Sequence, residues 1–327
     1  MAIRLKDIAD ATGFSINTVS RVINKSPDVS DKTRKIIESA ISDMGYVSNS
    51  AAKRLRTGES GMLALILDDF INPHFSILAD EISLYAFELG YNVTIYTSSG
   101  NPAKEEKAIK SAISVCADGI ILCPTQNSAS NVLFLKKQQI PFILIERSFD
   151  WFKDYSYAVF DEPRAGFIAA EHLILNGCRK ILSIISTYSD ISDVASAPII
   201  AGILSAHHTY GFSFPYDKIF GISLNVRSQT EEIQNILRSA ENYDSVICSN
   251  DMIALTVEKC LKSQNISIPI VGFGNIRHHL PISSSITSID CSNQSLSVCC
   301  VDSLMQLMEG SDIKQHVLPV QLIKNEV

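Results

Sequence analysis

The sequence is short of several things that would direct its reading. It has one tryptophan in 327 residues, 19% charged residues, and no apolar run near the ~18 residues of a membrane span. The first six residues, Met1 to Lys6, lack the apolar core of a signal peptide, so no membrane partner and a cytoplasmic location are expected. There is no Gly-x-Ser-x-Gly, no Walker loop and no Gly-x-Gly-x-x-Gly; the nearest approach, Gly272-Phe273-Gly274, runs on to Arg277 where a glycine is needed. His207-His208 and His278-His279 are adjacent pairs without the i, i+4 spacing and third ligand of a metal site, and they read as surface or loop histidines. No catalytic constellation and no cofactor are expected, which argues against an enzyme. Eight cysteines occur without a C-x-x-C pair. Cys116, Cys123, Cys178, Cys248, Cys260 and Cys291 fall in apolar segments and read as small buried hydrophobes of a reducing compartment, while adjacent Cys299 and Cys300 leave a vicinal disulfide open.

What is present is 46% hydrophobic residues, the mark of a globular chain, and length for two or three domains at roughly 100–200 residues each. The net charge is −7, but it is unevenly spread. Residues 1–58 hold ten Lys/Arg against six Asp/Glu, so the remainder of the 28 bases and 35 acids is 18 against 29. A basic head on an acidic body points to a polyanionic partner for the head alone.

In the head, Leu5, Ile8, Ala9 and Thr12 follow helical spacing, Gly13 accepts a left-handed turn, and Ser15 can cap a second helix ending near Asn24. Two short helices joined by so few residues make a helix-turn-helix. On the second helix Val19, Val22 and Ile23 mark the core side. Asn17, Arg21 and Asn24 lie opposite, flanked by Thr18 and Ser20, with Ile16 in the first turn. Arg pairs with guanine and Asn with adenine in bidentate fashion, and short hydroxyls suit phosphate oxygens, so this face fits the major groove. A third helix is capped by Ser30, lined by Ile36, Ile37, Ala40, Ile41 and Met44, and stopped by Gly45. Next comes a basic segment, Asn49 to Gly58, whose only large apolar side chain is Leu55. It is either a linker or a marginal helix that orders on phosphates with Leu55 as a minor-groove wedge.

Leu5-Lys6-Asp7-Ile8-Ala9, Gly13-Phe14-Ser15, Thr18 to Asn24, Val29-Ser30, Thr33-Arg34, Met44-Gly45-Tyr46 and Asn49 to Gly58 resemble the head of the lactose/galactose repressor (LacI/GalR) family. The resemblance implies a helix-turn-helix domain over 1–58 with a hinge helix at about 49–57, and an effector-binding and dimerisation domain over 61–327. It implies a homodimer on a palindromic double-stranded operator. Ile16, Asn17 and Arg21 match the family's base-reading residues, Leu55 the wedge, and Lys53 stands where Arg or Gln is common.

Beyond Met62, short apolar runs alternate with helical patterns. Strands are expected at Leu63–Asp68, Asn92–Thr97, Gly119–Cys123, Phe142–Glu146, Ala158–Asp161, Lys180–Ile185, Ile219–Ile222, Ser245–Cys248, Ile270–Phe273 and Ile286–Asp290, with one more near Val317–Leu322. Helices are expected at Pro73–Gly90, Glu105–Cys116, Pro163–Asn176 and Met252–Gln264. The class is α/β, with parallel sheets covered on both faces and split into two lobes. The body is similar to periplasmic sugar-binding proteins, through Asn72-Pro73, Asp118 to Ile121, Asp161-Glu162, Ala165-Gly166, Glu171-His172-Leu173, Asn250-Asp251 and Val271 to Gly274.

Ligands of open α/β sheets sit at the carboxyl ends of the strands. Asn72, Phe75, Thr125, Glu146, Arg147, Asp161, Asn250, Asp251 and Asn275 fall there, although Asn72, Asp161 and Asp251 also suit helix N-caps and Phe75 the core. Arg147 and Glu146 stand out, because charges are rarely buried unpaired. The resemblance implies a sugar or sugar derivative as effector. Against the family pattern, Ile199 replaces an effector-fixing Arg, Gly274 an Asp, and Cys291 a Gln. Two functions fit: a regulator, by expectation a repressor, or a soluble small-molecule binding protein without sequence-specific DNA binding. The outward face of the second helix favours the first.

Overall fold

A computed structural model of the chain describes residues 3–24, 26–46, 59–125, 129–149, 154–187, 197–213, 218–223, 226–240 and 242–324. Contacts divide the chain into two compact units, Met1–Ser60 and Gly61–Val327.

The first unit holds three helices, α1 (Leu5–Thr12), α2 (Ile16–Ile23) and α3 (Asp31–Met44). Gly13 ends α1 at φ 73°, a left-handed conformation that glycine adopts without penalty. The Ser15 Oγ then accepts the Thr18 N–H at 3.1 Å and starts α2 after only three residues. Ser30 caps α3 in the same way, and Gly45 closes it at φ 63°. Ile8, Ala9, Val19, Val22 and Ile37 form the buried centre, with Ala40, Ile41 and Met44 packed around it. Ile36, expected inside, points outward and is 43% exposed; adjacent Ile37 takes the single inward position available at that turn.

The second unit is two α/β lobes. Its first sheet has the order β11 (Gln315–Leu318), β5 (Ser156–Phe160), β4 (Phe142–Ile145), β3 (Gly119–Leu122), β1 (Met62–Leu67), β2 (Asn92–Thr97). The second has the order β12 (Gln321–Ile323), β10 (Thr287–Asp290), β9 (Ile270–Phe273), β8 (Ser245–Cys248), β6 (Ile181–Thr187), β7 (Ile219–Ser223). Pairing is parallel throughout except between β10 and β12. The strand expected near Val317–Leu322 is two strands in different sheets, because Pro319 interrupts the ladder and the chain changes lobes there. Helices α4 (Pro73–Glu88), α5 (Pro102–Ser114), α6 (Ala129–Lys137) and α11 (Asn293–Met308) cover the first sheet. Helices α7 (Glu162–Leu175), α8 (Ala197–Thr209), α9 (Val226–Ser239) and α10 (Asp251–Lys262) cover the second. Helix α5 starts three residues before the expected Glu105 because Asn101 caps it, accepting the Ala103 and Lys104 N–H groups at 2.9 and 3.1 Å.

The chain changes lobes after β5, after β10 and after β11. Cys291 and Val320, at two of these crossings, pack against the cores of both lobes. None of the eight cysteines is in a disulfide; Cys116, Cys291 and Cys299 are partly exposed and only the other five are buried. His207, expected at the surface, is buried in α8 with its Nδ1 2.9 Å from the Ile203 carbonyl. His208, His278 and His279 are exposed. Among the described residues no helix is long and apolar enough to cross a membrane, and no cluster of His, Cys, Asp and Glu is placed to hold a metal.

Candidate nucleic-acid interface and ligand cleft

The apolar side of α2 is occupied by Val19 and Val22, both essentially inaccessible. This fixes the rotation of the helix and turns Asn17, Arg21 and Asn24 outward, with Ile16 46% exposed in the first turn. Thr18 and Ser20 are half-buried on the flanks. The Ser15 and Thr18 hydroxyls are 2.8 Å apart, so both serve the start of the helix. The Asn24 side-chain amide closes the other end by donating to the Ser20 carbonyl, which leaves Asn17 and Arg21 as the outward groups most able to reach base edges. Lys53, Leu55 and the expected hinge helix at 49–57 lie outside the described residues.

In the second unit a cavity of about 160 Å³ opens between the facing carboxyl ends of the two sheets. From the first lobe it is lined by Asp69, Asn72, His74, Phe75, Glu146, Arg147 and Phe160. From the second come Glu162, Ala165, Ser186, Ile199, Ser249, Asn250, Phe273 and Gly274, with Cys291 at the crossing. Nearly every one stands at the end of a strand or opens the next helix.

Asp69 and Asn72 bend the chain from β1 into α4. The Asp69 Oδ1 accepts the Ile71 and Asn72 N–H groups at 2.7 and 3.0 Å, and the Asn72 Oδ1 accepts the His74 N–H at 3.2 Å. Beyond β4, Glu146 takes φ 66°, a left-handed conformation that costs a non-glycine residue about 1 kcal/mol or more. The turn presents two consecutive charged side chains to the cavity. Glu146 lies 3.1 Å from the His74 Nε2. Burial pulls the His74 pKa down, but the Glu146 carboxylate pulls it up more strongly, so the net shift is upward. The Arg147 Nη2 lies 2.7 Å from the fully buried Asp68 carboxylate, and its Nη1 donates to the Pro124 carbonyl at 3.0 Å.

Glu162 opens α7 and meets no hydrogen-bond or ion-pair partner among the described residues. Its withdrawal from water pushes the pKa up to about 8, with Arg147 opposing and Glu146 adding to the rise. Sequence reasoning passed over Glu162, His74, Asp69, Ser186 and Ser249. Position carries the signal: Asp69, Glu162, Ser186 and Ser249 stand within two residues of a strand's carboxyl end, and His74 is in the first turn of the helix that follows β1.

Of the sequence-derived candidates, Asn72, Phe75, Glu146, Arg147 and Asn250 meet at this cavity. Ile199, Gly274 and Cys291, the positions that depart from the family pattern, line it too. Thr125, Asp161, Asp251 and Asn275 are not among its lining residues. The buried Thr125 gives its N–H to Glu105 at 2.5 Å. Asp161 caps α7 by accepting the Arg164 N–H at 2.9 Å. Asp251 is buried, accepting the Ile276 N–H at 2.9 Å and the Ser288 hydroxyl at 2.8 Å. Asn275 starts a 3₁₀ turn, Ile276–His278, at φ 47°.

A helix-turn-helix unit followed by a two-lobed cleft defines a class: one-chain regulators that couple a DNA-binding head to a ligand-binding body. Two family models match the chain. Residues 4–49 match the bacterial regulatory proteins of the lacI family, and residues 60–324 match the periplasmic binding proteins and sugar binding domain of the LacI family. The chain is 30% identical over 283 residues to the HTH-type transcriptional regulator DegA of Bacillus subtilis, covering 84% of this chain and 82% of that one. It is 25% identical over 309 residues to the HTH-type transcriptional repressor PurR of Actinobacillus pleuropneumoniae, covering 92% and 90%. A crystal structure of the Lac repressor bound to ONPG shares the fold, with a TM-score of 0.82 at 21% identity over 99% of both chains. The chain belongs to the LacI family of bacterial transcriptional regulators. The relatives it matches are regulators rather than enzymes.

Proposed function

We propose that this chain is a transcriptional repressor that binds a palindromic operator as a homodimer and is controlled by a small-molecule effector, a sugar or sugar derivative, in the cleft between its lobes. The observation that carries this reading is the face of α2, where Asn17 and Arg21 stand exposed while Val19 and Val22 fix the helix from behind. Ser15, Ile16, Thr18, Ser20 and Asn24 border that face and supply phosphate and groove contacts, with Asn17 and Arg21 reading base edges. Lys53 and Leu55 act at the minor groove in the centre of the site. The domains follow the two functions: residues 1–58 bind DNA, with a hinge at about 49–57, and residues 61–327 bind effector and dimerise.

In the cleft, Asn72, Phe75, Glu146, Arg147 and Asn250 contact the effector. Thr125, Asp161, Asp251 and Asn275 hold the loops from which it is bound. Two lobes joined by three crossings close as a hinge, and closure in the paired bodies changes whether the two hinge segments order together on DNA. The reaction is one of binding alone, and the protein acts in the cytoplasm.

A salt titration on random-sequence duplex tests the DNA-binding half. A chain that neutralises several phosphates loses affinity steeply and linearly in log–log form as salt rises. A flat response, or no binding in dilute buffer, leaves only a soluble ligand-binding protein.

A further inference from the structure

Ile16 stands outside the apolar centre of the head. It is the first residue of α2 and 46% exposed, whereas Val19 and Val22 of the same helix are buried in that centre. Among the described residues of the head the only other exposed large apolar side chain is Ile36, in the second turn of α3. Successive helical residues turn by about 100°, which sets Ile16 roughly a quarter turn from the Val19–Val22 stripe, on the flank that Ser20 continues one turn later. β-Branching leaves an isoleucine one strongly preferred rotamer in a helix, so its tip is held in place before anything binds, and contact costs it little entropy. Its polar neighbours are engaged with the helix itself. The Ser15 Oγ accepts the Thr18 N–H at 3.1 Å and lies 2.8 Å from the Thr18 hydroxyl, and the Asn24 amide donates to the Ser20 carbonyl. Beside Asn17 and Arg21 the outward face therefore carries one stiff apolar projection, at its N-terminal end.

When a helix of this kind enters the major groove, its N-terminal residues meet base edges. Thymine alone presents a methyl group there, on C5; cytosine carries a hydrogen at that carbon, and the purine edges offer N7 with O6 or N6. We propose that Ile16 packs on the C5 methyl group of a thymine in each operator half-site, so that the chain reads that methyl group as well as polar base edges. The proposal rests on the reading of α2 as the groove-facing helix and adds one base to what Asn17 and Arg21 can specify.

Ile16 and Arg21 lie about 7.5 Å apart along the helix axis, so the thymine belongs to a different base pair from the one Arg21 reads. Exchanging that thymine for uracil withdraws the methyl group and nothing else. Uracil keeps the O4 acceptor and the pairing with adenine, and the phosphates are untouched. The loss of affinity on that exchange therefore reports the apolar contact separately from the hydrogen bonds of Asn17 and Arg21 and from the charge of the backbone.

The test is a uracil scan with the full chain. An inverted-repeat duplex is recovered from a random-sequence pool, and deoxyuridine then replaces thymidine at one position at a time, symmetrically in both half-sites. At one position the exchange is expected to weaken binding by about fifteenfold, which is about fourfold for each methyl group withdrawn from apolar contact, and at the others by less than about twofold. In Ile16→Ala the large penalty is expected to disappear, while the preference at the base pair that Arg21 reads is kept. The exposed position and the intact Ser15 cap leave that variant able to fold, and alanine favours the helix more than isoleucine does. The scan on the wild-type chain needs no variant. Uracil tolerated within about twofold at every position, or a penalty of the same size in Ile16→Ala, overturns the proposal and leaves the regulator reading standing. Recovery of no common duplex overturns both.

Discussion

The Arg147 guanidinium and the Asp68 carboxylate face each other at 2.7 Å, and the carboxylate is wholly buried. Arg147 therefore serves the ligand cleft while its charge is held by the end of β1, and Asp68 sets its orientation. Removing one partner of a buried pair leaves the other uncompensated. Asp68→Ala is expected to cost about 3–5 kcal/mol in chemical denaturation and to weaken effector binding in the remaining folded protein. A loss below about 1 kcal/mol, the size seen for exposed pairs, contradicts the assignment.

Helices α7 and α8 approach so closely that a Cβ on Gly202 would lie 2.0 Å from the Pro163 carbonyl oxygen, and one on Gly166 would lie 2.0 Å from the Ile199 carbonyl oxygen. The approach brings Glu162 and Ile199 to the same cavity. Gly202→Ala is expected to destabilise the body by about 1–3 kcal/mol, as overpacking does, and to weaken effector binding. Unchanged stability and ligand affinity in that variant exclude the close approach.

Asp251 ties three elements of the second lobe together by accepting from the Ile276 N–H and the Ser288 hydroxyl. Ser288→Ala removes one donor to a buried carboxylate and is expected to cost about 1–3 kcal/mol in urea unfolding, without altering duplex affinity at low salt.

Glu258 supplies a pH dependence. Partial burial pushes its carboxyl pKa up, but hydrogen bonds from Lys262 and Ser285 outweigh this and hold it at about 2, against 4.5 ordinarily. A depressed folded-state pKa contributes stability that is present above the unfolded value and lost as pH falls toward the folded one. The stability gap between wild type and Glu258→Gln is therefore expected to be full at neutral pH and to close between about pH 4.5 and about pH 2. A gap that does not change with pH contradicts this role.

The head was legible because short helices announce their ends: Ser15, Gly13, Ser30 and Gly45 each occupy the terminus their chemistry favours. Strands Ser245–Cys248 and Ile270–Phe273 were legible to the residue, since buried apolar runs bounded by polar turns leave little choice, and Asn92–Thr97, a half-exposed edge strand, was legible through its β-branched and aromatic residues. The final segment was not, because an apolar run does not show which of two sheets each half joins. The cleft was half legible. Strand ends locate it, but whether a polar residue there faces the cavity or caps a helix, as Asp161 does, depends on rotations that periodicity does not encode. Glu162 and Asp161 are neighbours with opposite fates for that reason. Ile36 was misplaced because two adjacent isoleucines cannot both face a core only a few side chains wide.

Whether the outward face of α2 reads bases is decided by selecting duplexes from a random-sequence pool with the full chain and with Arg21→Ala. An inverted repeat is expected for the wild type, with the variant losing preference at one base pair per half-site, worth about 1–3 kcal/mol at that position. Recovery of no common sequence, or of the same sequence with the same preferences by both proteins, contradicts it.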